Sequence, residues 1–229
     1  MDNKKYRHEF KYICTDGQFT CLKARLTGLM KYDPHADNEG RYNVRSIYFD
    51  DINDTCYYEN ENGVDPRKKY RIRIYNSSDN VIDLECKSKI RGMTNKESAH
   101  ISREFLDKIL SGEKITSPDS SKPVINSFTN MYSSQMLRPK VIVDYERTVF
   151  ICPIGNVRIT FDRNISSSVD YDHFFDKVLY KRPVMDTGTH ILEVKYDALL
   201  PDYIYKAVEL ENLQRTTFSK YYLCRNIHM

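Results

Sequence analysis

The sequence predicts an α+β protein, an antiparallel β-barrel of about eight strands with peripheral helices. Three observations carry this. Three separate apolar runs contain a Glu-x-Lys pair, namely Glu9-Phe10-Lys11, Glu85-Cys86-Lys87 and Glu193-Val194-Lys195, and a fourth run, Tyr70-Arg71-Ile72-Arg73-Ile74-Tyr75, alternates arginine with isoleucine. Turn-forming residues divide much of the chain into short extended segments that follow one another, with only a few helical patterns between them. Tyr is abundant at 18 residues while Trp is absent, and tyrosine favours strands.

Side chains two apart on a strand share a face. Each charged run therefore carries two ionic side chains on one face and apolar ones on the other. Four such runs imply a sheet with a face rich in Glu, Lys and Arg. That face is either open to solvent or the wall of a water-filled barrel, because unpaired charges are too costly to bury in a dry core. In the second case it would suit a highly anionic ligand.

The elements follow in order. Residues 6–14 read as a strand, and Asp16 opens an amphipathic helix over 16–30 with Phe19, Leu22, Leu26 and Leu29 near helical spacing. Asp33-Pro34-His35 breaks it. Residues 43–50 form a strand, and Asp54 caps a short helix to about Asn60. A hairpin joins strands 68–76 and 81–89 around Asn76-Ser77-Ser78-Asp79-Asn80. A strand follows near 94–100, then a helix from Ser102 to Leu110, a polar loop over 111–123 and a helix over 124–136. Strands at 139–150 and 156–162 flank a tight turn at Cys152-Pro153-Ile154-Gly155-Asn156. Residues 164–177 read as irregular, 187–197 as a strand, Pro201 to about Leu213 as a helix, and Ser219 caps a last helix through Tyr222 and Cys224.

The 229 residues fit one domain over 1–229. A formal net charge of only +3 gives no global basic field, and no basic-aromatic stripe is present, which argues against nucleic acid as a partner. None of the six cysteines forms a CxxC pair, no Cys/His cluster has zinc spacing, and the cysteines read as buried small hydrophobes in a reduced compartment. No apolar run approaches a membrane span, and the first residues lack a signal core. A soluble, cytoplasmic protein is expected.

Walker A and GxGxxG loops and a Ser-His-Asp pattern are absent. Any phosphate binding must therefore come from side chains on strands. The basic set is Lys11, Arg71, Arg73, Lys87, Arg147, Arg158, Lys195 and Lys220. Taken singly, each reads best as a solvated charge. Gathered around one lumen they would hold a polyphosphate chain, since arginine's planar fork matches phosphate oxygens and lysine is a compact point charge. Arg71 and Arg73 stand out because their own strand holds no acid. Glu85 reads as charge balance, and Glu193 is the first choice for a divalent-metal carboxylate, because hard cations take oxygen ligands from one or two carboxylates plus substrate phosphates.

The strings Arg7-His8-Glu9-Phe10-Lys11-Tyr12, Arg45-Ser46-Ile47-Tyr48-Phe49-Asp50, Tyr70 to Tyr75, Leu84-Glu85-Cys86-Lys87, Tyr145-Glu146-Arg147-Thr148, Val157 to Asp162, Leu192-Glu193-Val194-Lys195 and Phe218-Ser219-Lys220-Tyr221 together resemble the VTC domain. This is the catalytic domain of polyphosphate polymerases, within the triphosphate tunnel metalloenzymes. The resemblance implies an antiparallel barrel with a basic tunnel, and transfer of the γ-phosphoryl group of ATP to a growing inorganic polyphosphate chain with Mn²⁺ or Mg²⁺. It implies phosphate contacts from Lys11, Arg71, Arg73, Lys87, Arg147, Arg158 and Lys220, hydrogen bonds from Tyr145 and Ser219, metal on Glu193, and Lys195 beside it. Arg71, Arg73, Lys87 and Arg147 are the candidate catalytic set. One departure is that Thr217 stands where the family often has a second lysine, with Arg215 two residues earlier. The alternatives are a tripolyphosphatase or nucleoside triphosphatase of the same fold, and a non-catalytic polyphosphate-binding module. Against the hydrolase, Arg7 replaces the first acid of its Glu-x-Glu-x-Lys signature.

Overall fold

A computed structural model describes residues 7–208 and 213–229. The strands are β1 (His8–Thr15), β2 (Lys31–Tyr32), β3 (Arg41–Asp50), β4 (Arg67–Tyr75), β5 (Ser78–Ile90), β6 (Met93–His100), β7 (Arg138–Cys152), β8 (Val157–Ser168), β9 (Arg182–Pro183) and β10 (Thr189–Tyr196). The helices are α1 (Asp16–Thr27), α2 (Thr55–Glu61), α3 (Arg103–Leu110), α4 (Pro123–Ser134), α5 (Asp202–Val208) and α6 (Lys220–Asn226). The strands pair in the order β1-β10-β8-β7-β3-β4-β5-β6, with β2 on β7 and β9 on β8. The expected α+β class and the antiparallel pairing of about eight strands are as observed.

The chain forms two compact units. The first comprises residues 1–43, 145–165 and 183–218, and the second 44–144, 166–182 and 219–229. In the first, Phe19, Leu22 and Leu26 of α1 and Ile204 of α5 bury against Phe150, Ile159, Phe161, Leu192 and Val194. The α1 pattern works because its apolar residues fall on one stripe. Its start is fixed by a capping box, in which Thr15 accepts from the Gln18 amide and Gln18 accepts from the Thr15 amide.

In the second unit, Ile72 and Ile74 of β4 and Leu84 of β5 bury against Phe105 and Leu106 of α3 and Phe128 of α4. Each fully buried side chain of this kind contributes about 1.5–3 kcal/mol, and Ile72→Ala would cost roughly 2–5 kcal/mol. Ser102 caps α3 by accepting from the Phe105 amide.

Several expectations change. α1 ends at Thr27, so Leu29 lies beyond it and is 44% exposed. Of the cysteines expected to be buried, Cys21 is exposed and Cys56 half-buried. The hairpin turn is two residues rather than five: Asn76 and Ser77 have φ of 51° and 55°, the left-handed pair of a type I′ turn, whose twist suits the flanking strands. β8 runs on to Ser168, so part of 164–177 is strand. Asp54 does not cap α2 with its side chain. Asp50 does so instead, its Oδ1 accepting from the Cys56 amide at 2.9 Å and its Oδ2 from the Tyr57 amide at 3.0 Å. The two-residue strands β2 and β9 carry too few residues for any period to appear. The expected end of α5 falls on residues 209–212, outside the described residues. Among the described residues no helix is long and apolar enough to cross a membrane.

Candidate functional site

In the first unit the charged face is set by register. Lys11 pairs with Glu193 and Glu9 with Lys195 across β1 and β10. Glu193 pairs with Thr160 and Lys195 with Arg158 across β10 and β8. Directly opposed residues share a face, while Phe10, Leu192, Val194 and Phe161 point to the other.

On that face Lys195 Nζ lies 3.2 Å from Glu193 Oε1 and 3.9 Å from Glu9 Oε2. Lys11 Nζ lies 3.3 Å from Glu9 and donates to the Phe218 carbonyl at 2.9 Å. Arg147 gives both arms of its fork to Asp162, at 2.6 and 2.8 Å, and approaches Glu193 at 3.7 Å. Its guanidinium sits 5.1 Å over the Tyr145 ring. Burial works against the Arg147 charge, but Asp162, Tyr145 and Glu193 outweigh it and hold its pKa above the usual value. For Lys195 burial dominates: with help from Arg147 and Lys11 it lowers the pKa, against the pull of Glu193 and Glu9. Arg158 turns to Asp33 at 2.8 Å and the Tyr42 hydroxyl at 3.0 Å.

In the second unit β4 sits between β3 and β5. Tyr48 pairs with Arg71 and Ser46 with Arg73. Arg71 pairs with Glu85, and Lys69 with Lys87. Lys87 then pairs with Lys96 of β6. Arg71 Nε donates to Glu85 at 2.6 Å and Arg71 Nη1 donates to the Tyr48 hydroxyl at 2.9 Å. Arg73 lies 3.8 Å and Lys96 2.9 Å from the same carboxylate, and Arg73 Nε donates to Ser46 Oγ at 3.2 Å. Glu85 is 1% exposed. Burial opposes its charge, yet Arg71, Arg73 and Lys96 hold its carboxyl far below the usual range.

Tyr48 is also buried, which favours its neutral form, but Arg71, Arg73 and Lys220 together lower its pKa. Its ring stacks on Tyr221 at 5.3 Å. Lys69 donates to Asn60 at 2.8 Å and to Ser219 Oγ at 3.4 Å, with its ammonium 5.1 Å over the Tyr221 ring. Ser219 also caps α6, accepting from the Tyr222 amide, so Lys220 is fixed as the first residue of that helix.

Of the residues expected from sequence, the first unit brings together Lys11, Arg147, Glu193 and Lys195, with Tyr145 under Arg147 and Arg158 opposite Lys195. The second places Arg71 and Arg73 around Glu85, with Lys87 in the next row and Ser219 and Lys220 at the start of α6. Sequence reading passed over Asp162, Thr160, Tyr48, Lys69 and Lys96. All but Lys96 lie two residues from a chosen one or inside a quoted string, but partnership across strands is set by register, which a single strand's pattern does not carry. Arg215 does not take the place of the missing lysine on this face. Its guanidinium stacks 4.1 Å over Phe10, and its backbone bridges Tyr12, both on the face of β1 opposite Lys11.

The family model of the VTC domain matches residues 6–228. The chain belongs to the VTC domain family. Among solved structures it is similar to a candidate adenylate cyclase from Bacillus halodurans, at 13% identity and TM-score 0.51, with 89% of this chain and 86% of that one covered. It is also similar to a candidate adenylyl cyclase from Hippeastrum described as having a dominant triphosphatase activity, at 12% identity and TM-score 0.54, with 96% and 95% covered. These likenesses show the triphosphate tunnel metalloenzyme fold. No curated protein matches the sequence.

The superfamily generally uses divalent metal ions. Among the described residues no three His, Cys, Asp or Glu side chains converge as a metal-binding group. The donors on the first unit's face are nonetheless all oxygen. Asp162 takes the short fork of Arg147, and Glu193 lies 3.2 Å from Lys195 and 3.7 Å from Arg147. Opposite Glu193, Thr160 Oγ1 is buried and makes no hydrogen bond. That set fits a hard cation which takes its remaining ligands from phosphate.

Proposed function

We propose that this VTC domain is a polyphosphate polymerase that moves the γ-phosphoryl group of ATP onto the terminal phosphate of an inorganic polyphosphate chain. The observation that carries this reading is the row Lys69, Lys87 and Lys96, three lysines directly opposed across β4, β5 and β6, next to Arg71 and Arg73. Like charges directly opposed destabilise a sheet. Glu85 balances Lys96 at one end of the row, and a polyanion laid along it would supply further counter-charge.

In the transfer, a terminal phosphate oxygen of the chain forms a bond to the γ-phosphorus and the bond to the β,γ-bridging oxygen breaks, releasing ADP. The attacking oxygen is already ionised near neutral pH, so no general base is required. Phosphoryl transfer depends on positioning and charge neutralisation. Arg71 and Arg73 hold equatorial oxygens of the transferred group, oriented by the carboxylate of Glu85. Lys87 binds the neighbouring phosphates. In the first unit Lys11, Arg147, Arg158 and Lys195 bind phosphate oxygens, with Tyr145 seating the Arg147 guanidinium. Ser219 and Lys220 contribute at the start of α6. Glu193 holds a divalent cation, Mn²⁺ or Mg²⁺, which when bound neutralises phosphate charge.

A hydrolase of the same fold is less well supported. Arg7, standing in place of the first acid of that signature, is 2.8 Å from Asp197 and adds a positive charge where a second metal would need a negative one. Arg73→Ala, assayed for ADP release in Mn²⁺ and ATP, tests the assignment: near wild-type turnover would refute it. We place the protein in the cytoplasm with ATP and polyphosphate as its ligands.

A further inference from the structure

Thr160 of β8 lies directly opposite Glu193 of β10, is 1% exposed, and its Oγ1 has no hydrogen-bond partner among the described residues. Paired residues of an antiparallel ladder stand side by side on one face, with Cβ atoms about 4.5–5.5 Å apart. A threonine next to a carboxylate has a ready way to satisfy its hydroxyl, which is to donate to it. That bond is not made here. A buried hydroxyl left without a partner is costly, and such groups call for an explanation.

The surroundings narrow the explanation. Phe161 and Ile159, the chain neighbours of Thr160, point into the apolar core, so Thr160 faces the charged side. There Asp162 is taken up by Arg147, and Lys195 reaches Glu193 from its own strand. A hydroxyl oxygen and a carboxylate side by side, with no hydrogen bond between them, are two hard oxygen donors. Hard divalent cations select such donors, and a Ser/Thr hydroxyl completes the Mg²⁺ shell in P-loop enzymes for the same reason.

We propose that Thr160 is a ligand of the divalent cation, its Oγ1 acting beside Glu193 as the neutral second oxygen that the protein supplies. This rests on the reading of Glu193 as the metal carboxylate. It also gives the cation a second protein oxygen without adding a second negative charge.

The test is Mn²⁺ binding followed by electron paramagnetic resonance, with a non-hydrolysable ATP analogue bound, for the wild type, Thr160→Val, Thr160→Ser and Glu193→Gln. Thr160→Val keeps shape and should weaken Mn²⁺ binding tenfold or more. Thr160→Ser should keep most of the affinity. Thr160→Val should melt no lower than the wild type, because it removes an unsatisfied hydroxyl, and should bind the metal-free analogue unchanged. Wild-type Mn²⁺ affinity in Thr160→Val, or a loss that serine fails to rescue, would overturn the proposal. Loss in Glu193→Gln with none in Thr160→Val would sink Thr160 alone. Full affinity in Glu193→Gln would bring down both assignments.

Discussion

Arg147 commits both arms of its guanidinium to Asp162, at 2.6 and 2.8 Å, and meets Glu193 only at 3.7 Å. The fork makes Asp162 the main counter-ion of Arg147, and Glu193, as the proposed metal carboxylate, is the one expected to exchange partners with a ligand. Asp162→Ala should then cost roughly 3–5 kcal/mol of stability, as expected when one partner of a buried pair is removed. Glu193→Gln should cost clearly less. Denaturant unfolding of the two variants decides this, and equal losses would refute the division of roles.

Glu85 gathers Arg71, Arg73 and Lys96, and its carboxyl is held far below the ordinary range. A depressed carboxyl contributes stability that is present above its unfolded value, near 4.3, and lost as pH falls toward the folded one. Glu85→Gln should thus be several kcal/mol less stable than the wild type at neutral pH, and the gap should narrow steadily below about pH 4. A pH-independent gap would contradict this.

Tyr48 carries the opposite surprise for a buried phenol. Burial favours its neutral form, but Arg71, Arg73 and Lys220 prevail and lower its pKa. In an alkaline absorbance titration, wild type minus Tyr48→Phe should show one phenol ionising below the usual value of about 10. Arg71→Gln should move that step upward. The wild type should also gain stability relative to Tyr48→Phe as pH rises through the step. A step above the ordinary value would mean that burial wins.

Arg45 is 2% exposed. It donates to Asp144 at 2.8 Å and to the carbonyls of Phe174 and Asp176 at 2.7 and 2.8 Å, while Lys181 reaches the other Asp144 oxygen. Its fork therefore ties down the segment between β8 and β9, for which the sequence suggested no role. Arg45→Met should raise amide exchange over 170–181 within the second unit and leave β4 and β5 protected. Unchanged exchange there would show that Phe174 and Leu179, buried in the core, hold the segment alone.

The strand faces were legible because alternation is local: Glu9 and Lys11, Arg71 and Arg73, Glu193 and Lys195 need only the period of two to be placed together. Helix starts at Ser102 and Ser219 were legible for the same reason, since a cap is read within three residues. What escaped was set by contacts between strands. The Arg147 fork could not be assigned to Asp162, nor Arg71 to Tyr48, without register. The Asn76-Ser77 turn was missed because neither residue is glycine, though both adopt positive φ. The α2 cap moved from Asp54 to Asp50 because Asp50, fully buried at the end of β3, satisfies two amides while it also accepts from Tyr221.

The most direct measurement is to incubate the purified protein with ATP and Mn²⁺ and resolve the products on a gel stained for polyphosphate. The account predicts a ladder of long chains with matching ADP, lost in Arg73→Ala. Free phosphate without a ladder would contradict the polymerase and point to a hydrolase, and binding of ATP without turnover would contradict any catalytic role.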